Sequence, residues 1–223
     1  MNLFMTIRIA STAVILSGVL LLPTFPLSAQ WNERSLEDSI SWRQVRQESG
    51  IRISMGEWPN SEIAAFRSEM IFNTSMDRLL ELIQDVSAYK EWMPSSKESR
   101  LIERTGESSF VYYISIESPW PLNDRDWVNR LEIQKNDRDR SVIVLYESVQ
   151  GYVAEITDTV RVKNHYALWS LTPIGQNRIR SIWYAHNEPG GFIPAWAVHF
   201  VSDSMILETM QNVRNRVQAV DSQ

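Results

Sequence analysis

The sequence contains no cysteine in 223 residues. Disulfides, thiol nucleophiles and thiolate metal sites are thereby excluded, as is a lipid anchor on an N-terminal cysteine. A basic excess is missing too. Twenty-two Lys and Arg stand against 27 Asp and Glu, for a net charge of −5. This argues against a nucleic-acid partner, which needs a basic face. There is no HExxH, no GxSxG and no glycine-rich phosphate loop. Histidine is scarce: His165, His186 and His199 lie far apart without metal-ligand spacing, and each reads as a core or surface histidine. Asp137, Arg138, Asp139 and Arg140 read as a solvated loop, and Glu155, Asp158 and Arg161 show no sign of a paired acid and base. No catalytic residue, metal or cofactor is expected from these absences.

What is present begins at the N-terminus. Arg8 is the only charge before Glu33, an apolar run covers Ile9–Leu22, and Pro23, Pro26 and the small pair Ser28–Ala29 follow. That layout predicts a signal peptide over residues 1–29 and one domain over 30–223. The apolar run is shorter than the roughly 20 residues needed to span a bilayer. An uncleaved membrane anchor is the alternative. Cleavage implies a periplasmic or secreted location. The nine Trp residues imply either a well-packed core or a ligand pocket.

Periodicity then supplies the elements. Residues 32–41 suit a short helix. Residues 42–58 alternate around Gly50 as a hairpin, and a third strand falls within 63–73. A cap at Thr74–Asp77 precedes Met76, Leu79, Leu80, Ile83 and Val86 at helical spacing, which predicts a helix over 75–86; AYKEWMP adds a second short one ending at Pro94. The period then changes to two, with strands predicted at 97–104, 109–117, 126–135, 141–148, 159–171 and 177–187. A helix over 194–220 carries the stripe Trp196, Phe200, Leu207, Met210, Val213 and Val217. Ser202, Asp203 and Ser204 interrupt that stripe, as a polar notch towards an internal space or as a solvent-facing flank. This order is α+β: a long curved antiparallel sheet with a helix laid across it. A sheet gripping a helix leaves an apolar-lined space between them.

The stretch SPWPLNDRDW, residues 118–127, places Trp120 and Leu122 on a turn bounded by Pro119, Pro121 and Asp124. Arg125 and Asp126 are adjacent on a strand, so they point to opposite faces and cannot pair with each other. Each needs another partner if buried. They read as structural ions fixing the strand start; alternatively, Arg125 contacts a ligand headgroup.

WPLNDRDWVNRL resembles the W-P-x-x-x-R-D stretch of START domains, the steroidogenic-acute-regulatory-related lipid-transfer modules, in their bacterial form. NEPGGFIPAWAVHF, residues 187–200, resembles the segment leading into that family's C-terminal helix, and Val160–Arg161 and Trp169 through Pro173 fit in order. The resemblance implies a helix-grip fold with an internal hydrophobic tunnel for one lipid and transient contact with a membrane surface. It makes Trp120, Pro121 and Leu122 a membrane-touching lip at the tunnel mouth, with Arg125 and Asp126 anchoring the strand behind it. The expected ligand contacts are Tyr112, Trp127, Asn129, Leu131, Trp169, Trp183, Phe192, Trp196 and Phe200. Gly190–Gly191 is either a hinge before the long helix or a tight turn.

One departure bears on the ligand. Well-known animal members carry a second Arg six residues after the first, on the same face, and some oppose it with an acid on the preceding strand. The matching positions here are Leu131 and Tyr112, while Arg130 faces the other way. The implied ligand is more apolar, or is held by hydroxyls and indoles. The rival reading is an enzyme on a related grip fold, cyclase- or hydrolase-like, with Tyr112, His165 and His186 as its only candidates. A third is a protein-interaction module with a vestigial pocket.

Overall fold

Alternating apolar and polar residues build most of this fold, and short polar turns punctuate it. The computed structural model describes residues 32–191, 193 and 195–218, with the side chains of 195–202 outside the described set. The leader expected over 1–29 and the contact expected at Phe192 lie outside the described residues, as do the side chains of Trp196, His199 and Phe200.

Asn32 caps α1 (Glu33–Ser39) by accepting from the Ser35 amide, and Ser35 returns the bond to the Asn32 amide. Ser49 and Gly50 both take positive φ, so β1 (Arg43–Glu48) turns tightly into β2 (Ile51–Gly56). β3 (Ala65–Phe72) leads to α2 (Met76–Gln84), whose cap is Ser75 and whose buried face is Leu79, Leu80 and Ile83. A 3-10 helix over Val86–Glu91 follows. Then come β4 (Ser96–Gly106), β5 (Ser109–Ile116), β6 (Asp124–Lys135), β7 (Val142–Ser148), β8 (Thr159–Arg161), β9 (Asn164–Gly175), β10 (Arg178–Glu188) and α3 (Ala195–Gln218).

The strands form one sheet in the order β1-β2-β3-β10-β9-β7-β6-β5-β4, with β8 pairing β6 off that path. The architecture is α+β, as expected. One strand differs: the run expected over 159–171 is two strands. β8 pairs in parallel with β6, the one parallel pairing among the described strands, and β9 pairs antiparallel with β7 and β10. The break has a local cause. The Val162 amide donates to the Asp126 carbonyl at 2.9 Å, and the Lys163 carbonyl accepts from Ser148 Oγ at 2.6 Å, which steers the chain from β6 across to β7. Register shifts interrupt both outer strands, once in β1 and three times in β4.

The main core lies between the inner face of the sheet and the helices. Phe110, Tyr112, Ile114, Trp127, Leu131, Trp169 and Leu171 meet Leu79 and Ile83 of α2 and Leu207, Met210, Val213 and Val217 of α3. Each fully buried aliphatic side chain there stabilises by roughly 1.5–3 kcal/mol. The outer face is covered by α1, with Leu36 against Tyr166, Leu168, Ile182 and Tyr184. Of the polar notch of α3, Asp203 and Ser204 sit at the helix flank. Both face Arg46 of β1, at 3.8 and 3.1 Å from Nη1. Further along, Asn212 donates to the Trp92 carbonyl, Arg214 to the Ser49 carbonyl, and Arg216 pairs with Glu91.

Candidate functional site

Strand alternation turns Arg125, Trp127, Asn129 and Leu131 of β6 to the inner face, while Asp126 and Val128 face outward. Leu131 is fully buried in the main core, and Val128 packs into a separate outer cluster with Val111 and Tyr113. Tyr112 of β5 stands opposite Asn129 in the register. Asn129 Nδ2 donates to the Tyr112 hydroxyl at 3.3 Å, and its Oδ1 is buried without a partner. The Tyr112 ring meets Tyr89 edge-on at 5.3 Å; Tyr89 donates to the Ile83 carbonyl at 2.6 Å and shares a hydrogen bond with Tyr146. Burial raises all three phenol pKa values, so these hydroxyls stay neutral. This part of the inner face is polar but uncharged.

The Trp residues spread along the same face. Trp169 donates to Ser181 Oγ at 2.6 Å and tilts against Phe72 at 6.2 Å. Trp183 pairs with Trp169 across the ladder and is half-buried against the core. Ser68, opposite Trp183, has a buried Oγ without a partner. Trp127 donates to Asn187 Oδ1 at 3.0 Å. Sequence reasoning missed Ser68, Tyr89, Tyr146 and Asn187. Ser68 and Asn187 sit at in-facing positions of β3 and β10 that strand alternation would have flagged.

At one end of the sheet the loops converge. Trp120 is 92% exposed and Leu122 36% on the turn closed by the Leu122 amide donating to the Pro119 carbonyl. The parallel pairing of β8 with the start of β6 brings the preceding loop, with exposed Tyr152 and Ile156, to the same end. Gly190 and Gly191 both sit at φ 65°, which makes a tight turn. A Cβ on Gly190 would come within 3.0 Å of Val160, and one on Gly191 within 3.7 Å of Arg125 Nη2. Arg125 therefore lies beneath this turn. It donates to the Asn123 carbonyl, to Ser118 Oγ at 3.3 Å and to the Gly190 carbonyl at 3.5 Å. Asp126 takes a different partner: Arg161 grips it with Nε at 2.8 Å and Nη2 at 3.0 Å.

Of the two described histidine side chains, His165 shares the inner face with Ala167 and Trp169 and hydrogen-bonds with Asn187, the acceptor of Trp127. His186 stacks on Trp58 at 4.5 Å, and His165 and His186 border a depression with Glu147, Lys163 and Glu188. Burial and the neighbouring His186 pull the His165 pKa from 6.5 to about 4. Among the described residues, Tyr112 and the two histidines do not converge as an acid–base set, and no cluster of three or more metal-ligating side chains occurs. A second depression runs between α2 and β4, bordered by Asp77, Glu81, Arg104 and Lys135.

The sequence profile of the START domain matches residues 28–222. An uncharacterized protein of Pseudomonas aeruginosa is 27% identical over 175 residues, covering 78% of this chain and 85% of that one. The phosphatidylcholine transfer protein of Mus musculus is 28% identical over 127 residues, covering 56% of this chain and 58% of that protein. The crystal structure of the STAR-related lipid transfer protein of Xanthomonas axonopodis superposes with a TM-score of 0.73 at 24% identity, over 79% of this chain and 98% of that one.

Proposed function

The chain belongs to the START domain family, and on that footing we propose that it carries, transfers or senses one hydrophobic molecule held between the sheet and α3, without catalysing a reaction. One observation carries this reading. The inner face is apolar, yet it holds buried polar atoms with no protein partner: Asn129 Oδ1, Ser68 Oγ and Arg125 Nε. Buried polar groups in native proteins are nearly always satisfied, so these atoms are the ones offered to a bound guest. Tyr112, Trp127, Asn129, Leu131, Trp169 and Trp183 are the contacts assigned to the guest on the described face, and Phe192, Trp196 and Phe200 are assigned from the sequence alone.

The ligand belongs to the lipids or other hydrophobic small molecules. Leu131 offers no charge to its buried part, which meets neutral hydroxyls and indoles instead. Trp120, Pro121 and Leu122 form the lip that touches a membrane during exchange, because an exposed indole suits the lipid–water interface. Residues 1–29 direct a bacterial chain to the periplasm or the exterior. The acidic balance disfavours a nucleic-acid partner.

Native mass spectrometry of the purified protein, followed by lipid extraction, tests the reading. The expected result is a one-to-one complex that releases a hydrophobic molecule. Protein that arrives empty and takes up no lipid from vesicles would overturn it.

A further inference from the structure

We infer that Arg125 is an anion site at the loop end of the inner face, so that the bound molecule is an amphiphile with a single anionic head, lying head outward beneath the Gly190–Gly191 turn. This inference rests on the carrier reading above and adds the head's charge and its direction.

The argument is one of charge accounting. Arg125 is only 5% exposed. A buried charge is ordinarily paired, because an ion loses much of its hydration on leaving water. The two acids that flank it in sequence are both hydrogen-bonded elsewhere. Asp126 faces the other side of the sheet and is held by two nitrogens of Arg161. Asp124 accepts from Lys97 Nζ at 2.7 Å and from the Ser118 amide at 3.0 Å. Among the described residues Arg125 has no carboxylate partner, and its three acceptors are two carbonyls and a hydroxyl, all neutral. Its Nε is buried with no acceptor at all. Outside the described residues, Asp221 is the only Asp or Glu in the sequence. The guanidinium thus has an unused donor and no acid bonded to it, its charge being offset only at longer range by Asp124, which Lys97 already holds.

Its position decides the orientation of the guest. Arg125 opens β6 and is tied to the loops at 118, 123 and 190, whereas the neutral Asn129 and Tyr112 lie four and more residues along the inner face. An anionic head therefore belongs at the loop end and the apolar tail runs towards Leu131. A carboxylate or a phosphate monoester satisfies the fork equally in kind, since both offer paired oxygens.

The test uses three probes with the same sixteen-carbon tail (hexadecanol, palmitate and hexadecyl phosphate), each titrated into the full chain in mildly alkaline buffer while Trp fluorescence is read. Wild type is expected to bind at least one of the two anions about tenfold more tightly than hexadecanol. Palmitate and hexadecyl phosphate then separate a carboxylate head from a phosphate head. Arg125→Gln is expected to abolish that preference while hexadecanol binding changes less than about threefold. Arg125→Lys, which keeps the charge, is expected to retain part of it. Equal binding of all three probes by wild type overturns the anion site but leaves the carrier reading intact. Failure of wild type to bind any of them overturns both. Preference retained in Arg125→Gln also overturns the site. Should the Gln variant not fold, the wild-type comparison and the Lys variant decide alone: no wild-type preference, or a Lys variant that prefers hexadecanol, defeats the proposal.

Discussion

Arg161 holds Asp126 with two parallel bonds, Nε to Oδ1 at 2.8 Å and Nη2 to Oδ2 at 3.0 Å, with the two side chains 7% and 1% exposed. The same guanidinium also donates to the carbonyls of Val153 and Ala154. One ion pair thus ties β6, β8 and the loop before β8.

Breaking that pair from either side leaves a buried charge without compensation. Asp126→Asn or Arg161→Ala is expected to lower folding stability by about 3–5 kcal/mol. Urea unfolding followed by Trp fluorescence measures the loss. A change within experimental error would mean the pair is dispensable.

Trp120→Ala combined with Leu122→Ala is expected to slow lipid exchange several-fold while leaving the melting temperature almost unchanged. Both side chains are exposed on the turn, so the fold loses little. A membrane contact loses two apolar groups worth roughly 1.5–3 kcal/mol each if fully buried. Transfer of a fluorescent lipid between vesicle populations gives the rate. Equal rates for variant and wild type would return the motif to a structural corner.

His165 makes stability depend on acidity in a defined window. Its pKa falls from 6.5 to about 4 on folding, so the unfolded chain takes up a proton first. Stability is therefore full above the ordinary histidine value, declines as the pH drops through the window, and levels off below about 4. His186, also lowered by burial, acts in the same direction. Glu188 and Glu69, whose carboxyls are lowered below their ordinary 4.5, contribute at more acid values. Glu147 and Lys163 complete the surroundings. The His165→Asn variant should show a flatter profile across the histidine window in pH-dependent urea unfolding, and an unchanged slope would refute the assignment.

Gly56 is a position where even a methyl group has no room. A Cβ there would lie 2.3 Å from Ile40 Cγ2, 3.2 Å from the Ser41 carbonyl and 3.3 Å from Trp42 Cε3. Gly56→Ala is expected to destabilise by about 1–3 kcal/mol through overpacking. Adding Ile40→Ala, which removes the nearest contact, should make the two effects less than additive in thermal melts. Strict additivity would place the cost elsewhere.

Element order was largely legible because periodicity is local. Leu79, Leu80 and Ile83 declare the buried face of α2, and Leu207, Met210, Val213 and Val217 that of α3, without reference to anything distant. The split between β8 and β9 was not legible. It depends on Val162 and Lys163 finding Asp126 and Ser148, partners 36 and 15 residues away. The Arg125–Asp126 doublet shows the same limit. Alternation dictates that the two side chains part, but not that Asp126 meets Arg161 while Arg125 meets no acid. Those outcomes follow from which strand lies alongside, and β8 arrives from a loop with no periodic signal. Tyr89 and Tyr146 were overlooked because each looks like ordinary core until Tyr112 is set beside them.

The broken register of β1 and β4 has a consequence for the molecule in a crowded solution. A ten-stranded sheet ends in two open rims, and an open rim is a template on which another copy can polymerise. Here the shift in β1 lies between Gln44 and Arg46, and those in β4 fall at three places along a strand carrying Lys97, Glu98, Arg100, Glu103 and Arg104. A straight incoming strand would meet irregular donors and acceptors and a row of solvated charges. Growth by rim-to-rim addition is therefore blocked at both ends, and exposed apolar groups such as Trp120 are left as the adhesive part of the surface.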